Sequence, residues 1–161
     1  MIKKAVPFIP VSIILILLLT VVILFNNENG RSSYVLFFPL DSMKGKNAEI
    51  REVYRSKDSH HRLDIFINEL ILGPVALKVN PFIPEGTKIR SFIWRDELLY
   101  LDLNKDFIRE SASIPLDYME KIVYLKENIF FNFPQIKDIT ITVEGQIPGS
   151  EFYALSEKSE S

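Results

Sequence analysis

The chain has 161 residues, of which 47% are hydrophobic, and a formal net charge of −2. An apolar stretch at one end leaves roughly 130 residues for folded structure, enough for one domain and not for a second core. From Arg31 onward 17 basic residues face 20 acidic ones, a net charge of −3. A domain of that sign has no basic stripe with which to displace counterions from phosphates, so nucleic-acid binding is excluded. The absence of cysteine excludes disulfides, thiolate metal sites, cysteine nucleophiles and a lipid-modified cysteine.

Residues 1–4 read as a short cytoplasmic stub carrying Lys3 and Lys4, and Ala5 to Phe25 runs without a charge. At 1.5 Å per residue a helix over 5–25 covers the hydrocarbon core, so this segment is expected to be a transmembrane signal anchor. Pro7 and Pro10 fall in its first turns, where a missing amide proton costs least. A cleaved signal peptide is the competing reading, because Lys3 and Lys4 make a basic n-region. The sequence from Val21 to Glu28 offers no small-x-small pair for cleavage, which favours retention. The lysines before the run and Asn26, Asn27 and Glu28 after it place the N-terminus in the cytoplasm and the rest outside, as a single-pass protein of the cell membrane.

Residues 26–33 are polar and read as a linker, with a folded α+β domain over 34–147 and a flexible polar tail over 148–161. Tyr34 to Phe38 is aromatic and β-branched and stops at Pro39, a buried strand, and Glu49 to Arg55 can pair with it. From His60 to Leu72 the residues Leu63, Phe66, Ile67, Leu70 and Ile71 fall at helical spacing, with Asp58 or Ser59 as cap and Gly73-Pro74 as stop. Thr87 to Trp94 and Leu98 to Leu103 make two strands joined by Arg95-Asp96-Glu97. Pro115 stands where a second helix would begin, and Tyr118, Ile122, Leu125, Ile129 and Phe133 form its stripe up to Pro134. Asp138 to Val143 alternates as a half-buried strand does. The expected architecture is two layers, with two helices packed on one side of a mostly antiparallel sheet.

The order of Glu69-Leu70 with Gly73-Pro74, then Pro84-Glu85-Gly86-Thr87, then Leu101-Asp102-Leu103, then Phe133-Pro134 with Ile136, Ile139, Ile141, Val143 and Gly145 resembles the sporulation and spore germination (GerMN) domain. The resemblance spans about Tyr34 to Gly145. It implies an envelope-facing module related to the ring-building domains of secretion and sporulation assemblies, acting through protein contacts and without catalytic residues. This chain differs in having one copy of the domain and no lipoprotein cysteine.

The residues that could carry chemistry have simpler readings. His60 and His61 are adjacent and diverge by about 100° on a helix, whereas two ligands of one metal sit three or four residues apart. Asp102, Asp106 and Glu110 lie at a strand end and in the turn after it, where carboxylates satisfy backbone donors. Ser111 and Ser113 lack a nucleophile elbow and a positioned histidine. The expectation is a non-enzymatic protein without cofactor or metal, binding envelope proteins or copies of itself; a cell-wall or small-molecule ligand is the alternative. Leu77, Val79, Phe82 and Ile83 make the loop 75–84 unusually apolar, and together with Phe92 and Trp94 they are either core or a docking surface for a partner.

Overall fold

The computed structural model describes residues 8–27, 30–40 and 45–149, with the side chains of 8, 9, 11 and 24–27 outside that description. The stub at 1–4 and all of the tail beyond Gly149 lie outside the described residues. In chain order the elements are α1 (Phe8–Asn27), β1 (Arg31–Pro39), β2 (Lys46–Tyr54), α2 (Ser59–Leu72), β3 (Ile89–Arg95), β4 (Leu98–Leu103), a 3-10 turn (Lys105–Ile108), α3 (Tyr118–Asn132) and β5 (Asp138–Val143). α1 is 20 residues long, and its described side chains from Ser12 to Ile23 are all exposed. Among the described residues no helix is long and apolar enough to cross a membrane.

The strands form two sheets, not the single one expected. β1 and β2 pair antiparallel, with Val35 opposite Ile50 and Phe37 opposite Ala48. The second sheet has the order β3-β4-β5, antiparallel between β3 and β4 and parallel between β4 and β5, where Leu101 faces Ile141. A parallel neighbour needs a long crossover, which the 3-10 turn and α3 supply. Arg31 to Ser33 belong to β1, opposite Tyr54 to Glu52, so the expected linker shrinks from 26–33 to the few residues between Asn27 and Arg31. Pairing with β2 gives these polar residues backbone partners that composition alone does not reveal.

Both helices of the domain are capped by aspartate. Asp58 accepts a hydrogen bond from His60 N at 3.0 Å, and α2 ends at Gly73, whose φ of 80° suits a residue without Cβ. α3 begins at Tyr118, three residues after Pro115, because Asp117 and Glu120 form a reciprocal capping box. The β3–β4 hairpin turns on Asp96 and Glu97 alone, with Asp96 at φ 54°.

One apolar cluster joins every element of the domain: Tyr34, Leu36 and Phe38 from β1, Leu63, Phe66, Ile67 and Leu70 from α2, Leu125 and Ile129 from α3, and the inward residues of β4 and β5. Phe133, at the end of α3, ties the two sheets together. Its ring lies 5.8 Å from Tyr34, 5.2 Å from Phe66 and 5.9 Å from Trp94, distances at which aromatic pairs attract beyond simple burial. Pro148, placed in the tail by composition, is buried.

Candidate interaction surface

A sheet edge exposes a row of unpaired amide and carbonyl groups, and β1 has one such edge facing away from β2. α3 closes it with side chains. Asn128 Oδ1 accepts from Phe37 N at 2.8 Å while its Nδ2 donates to Phe37 O at 3.0 Å. Asn132, one helical turn on, does the same for Val35, at 2.9 and 2.7 Å. Asn80 N donates to Pro39 O at 2.9 Å and extends the closure. Two primary amides spaced i, i+4 thus stand in for a neighbouring strand.

Because Val35 and Phe37 bond toward α3, the residues between them bond toward β2, and in an antiparallel pair this alternation carries across. Ala48, Ile50 and Glu52 therefore turn their backbone groups outward. Among the described residues no strand pairs with that edge of β2. Alternate residues of β2 project from the outer face of the hairpin: Ile50 is 73% exposed and Tyr54 77%. Half-buried Val35 and Phe37 lie opposite on β1, and exposed Phe131 of α3 meets the Phe37 ring edge-on at 4.9 Å. An open edge bordered by exposed apolar side chains is the arrangement that accepts an added strand.

The six candidate docking residues divide. Phe82 and Ile83 are core residues, fully or almost fully buried, with Phe82 packed against Phe38 and stacked on Tyr124. That burial removes them from any docking surface in this structure. Val79 packs on the core and bridges to Leu40. Phe92 and Trp94 are half-buried beneath His60, whose ring stacks on Trp94 at 6.1 Å. Leu77 alone is open, at 92% exposure, near exposed Leu72 and Val75.

The loop bearing Leu77 is held by charge. Glu49 accepts from Val75 N at 3.1 Å, from Ala76 N at 2.9 Å and from Arg51 at 3.1 Å, while Arg51 also reaches Glu69 at 3.0 Å and Gly73 O at 2.8 Å. Burial pushes the Glu49 carboxyl up, but the amides of Ala76 and Val75 and the Arg51 guanidinium outweigh it, so its pKa lies below the ordinary value of 4.5.

Asp102 takes hydrogen bonds from Thr142 and Gly145 N, each at 2.8 Å, and pairs with Arg90. Asp106 accepts from Asn104 at 2.8 Å and pairs with Arg109. These carboxylates fix the ends of β4 and β5 and the turn after them. Ser111 and Ser113 bond to each other at 2.8 Å. Among the described residues no group of three His, Asp or Glu side chains is placed to hold a metal ion. Glu110 lies beside an open groove of about 510 Å³, also lined by Ile108, Leu116, Tyr118 and Lys121. Lys121 is 1% exposed, and its Nζ donates to Arg109 O at 2.8 Å. Burial lowers its pKa, and Glu110 and Asp117 oppose that shift.

Apolar periodicity alone does not single out Asn128, Asn132 or Lys121. The signal was their phase: 121, 125, 128 and 132 fall on one helical face, the one that carries Leu125. Polar residues on a buried stripe must have partners.

The fold is a small α+β domain whose hairpin is sealed by side chains along β1 and, among the described residues, left without a strand partner along β2. Residues 35–147 match the Germane family, described as sporulation and spore germination, and the chain belongs to that family. Among solved structures it is similar to the tandem GerMN domains of the sporulation protein GerM from Bacillus subtilis, with 17% identity, 73% of this chain and 40% of that chain covered, and a TM-score of 0.51. It is also similar to the first GerMN domain of that protein, with 10% identity, coverage of 74% and 90%, and a TM-score of 0.45. A protein described as a lipoprotein from Clostridium perfringens matches at 24% identity, with coverage of 72% and 75% and a TM-score of 0.42. A comparison with curated proteins finds no match.

Proposed function

We propose that this chain is a membrane-anchored, envelope-facing interaction module of the GerMN type that works through protein contacts and not through catalysis. The observation that carries the proposal is the β1–β2 hairpin, closed on the β1 side by Asn128 and Asn132 and, among the described residues, without a strand partner on the β2 side beside Ile50 and Tyr54. Its partner is an envelope protein or a second copy of this chain. Anchoring is supported by the uncharged run from Ala5 to Phe25 and by the exposed apolar side chains from Ile13 to Ile23. Lys3 and Lys4 on one side of the run and Asn26, Asn27 and Glu28 on the other support an exterior domain.

The test compares the full chain with a chimera that keeps residues 1–33 and carries an unrelated exterior domain, both crosslinked in membranes. Defined envelope proteins or self-multimers recovered only with the native domain support the module; equal recovery from both refutes it. A second reading, binding of a cell-wall or small-molecule ligand, is favoured by the groove beside Lys121, whose buried ammonium has three donors and, among the described residues, one hydrogen-bond acceptor, Arg109 O. Saturable binding of a carboxylate ligand that Lys121→Met abolishes would promote it, and no binding would remove it.

A further inference from the structure

The end of the domain next to the anchor has its own chemistry. α1 stops at Asn27 and the described chain resumes at Gly30, three residues later, a distance the backbone spans in at most about 10 Å. Gly30 O accepts a hydrogen bond from Arg55 N at 2.6 Å, which locks the end of β2 and the turn into α2 to that same point. Residues 54–62 are therefore held at the anchor end of the domain.

Their charge differs in sign from that of the whole chain. Residues 54–62 hold three cations, Arg55, Lys57 and Arg62, and one carboxylate, Asp58, in a chain of net charge −2. Asp58 is occupied in capping α2, and neighbouring Arg31 is neutralised by Glu52 at 3.1 Å. Among the described residues neither Arg55 nor Lys57 pairs with a carboxylate, and both are exposed. Exposed Tyr54 lies against Gly30 and adds the amphipathic ring favoured at a membrane interface.

We propose that Arg55, Lys57 and Arg62, with Tyr54, form a contact for anionic lipid headgroups that holds this end of the domain down on the bilayer. The proposal rests on α1 being the anchor. A reach of about 10 Å is close to one Debye length at physiological salt, so the cations feel the surface potential. Each cation near an anionic surface raises the contact equilibrium roughly fivefold. The remainder of the domain is acidic and is repelled by the same surface, so the two signs together set the orientation.

The test uses the full chain reconstituted in vesicles of phosphatidylcholine, alone or with about 30% phosphatidylglycerol. The chain has no native cysteine, so His61→Cys gives one site for a fluorophore, with quenchers carried on the lipid headgroups. Quenching is expected to rise when phosphatidylglycerol is present and to fall at high salt. R55E/K57E removes the rise, whereas K88E/K105E, at the far end of β3 and β4, leaves it in place. Quenching indifferent to phosphatidylglycerol and to R55E/K57E, in a chain that resists alkaline carbonate extraction, overturns the contact and leaves the anchor standing. Extraction by carbonate overturns the anchor and the contact together. Quenching that follows protein density and not phosphatidylglycerol content would make a second copy the occupant and overturn the lipid.

Discussion

Replacing Asn128 with alanine would open the edge of β1 that α3 closes. Asn128 is 0% exposed and makes both hydrogen bonds to Phe37, at 2.8 and 3.0 Å, so its truncation strands one amide and one carbonyl against a fully buried side-chain site. Each stranded group costs about 1–3 kcal/mol, giving a loss of about 4 kcal/mol for the pair. Against a usual domain stability of about 5–15 kcal/mol that is a large fraction. Asn132→Ala breaks the equivalent pair at Val35, but the half-buried site lets water substitute, so about 1–2 kcal/mol is expected there. Urea unfolding of the full chain in detergent, followed by the fluorescence of Trp94, the sole tryptophan, measures both. Trp94 contacts Phe133 within the aromatic cluster and so reports on the domain core. An Asn128→Ala loss below about 1 kcal/mol, or an Asn132→Ala loss as large as that of Asn128→Ala, would refute the idea that amide side chains replace a strand.

Three further outcomes follow from the same packing. Glu49 has a depressed folded pKa, so the stability it contributes is complete above the ordinary carboxylate pKa and is lost as pH falls through the lower folded value. Hydrogen exchange at Val75 and Ala76 should accelerate in that acid range, and Glu49→Gln should exchange fast at neutral pH as well; protection unchanged by both would count against the clamp. Phe82→Ala should cost about 3–5 kcal/mol and Leu77→Ser less than about 0.5 kcal/mol, since Phe82 is buried and Leu77 is open; a reversed order by urea unfolding would show that the loop packs differently. Gly86→Ala should destabilise by about 1–3 kcal/mol, because Gly86 holds φ 88° and an added Cβ would stand 3.2 Å from Asp106 Oδ2; a neutral result would show that the turn relaxes.

Periodicity exposed most of the domain's elements, because their inward residues repeat at 2.0 or 3.6 intervals over long segments. α2 and β5 needed little more than Leu63, Phe66, Ile67 and Leu70, and Ile139, Ile141 and Val143. The start of α3 was misplaced because Pro115 suits a first helical turn in isolation, while the Asp117–Glu120 capping box sets the true start. The division into two sheets was not legible, since it depends on which edges meet, and Asn128 and Asn132 fill the edge where a further strand would have paired with β1. The candidate surface was equally hidden. Phe82 and Ile83 drew attention through apolar character in a loop and turned out to be core, whereas Ile50, an ordinary strand residue, stands exposed beside an open edge.

Protein binding is proposed for the β2 side of the β1–β2 hairpin. Its most direct test is Ile50→Asp in the full-length chain, which changes an exposed side chain at the open edge and leaves the core alone. Affinity recovery from crosslinked membranes, with adducts identified by mass and confirmed by reciprocal recovery, is compared with the unaltered chain at matched stability. One defined envelope partner, or the chain's own multimers, is expected to disappear from the Ile50→Asp sample. Recovery of the same adducts in the same amounts would contradict it.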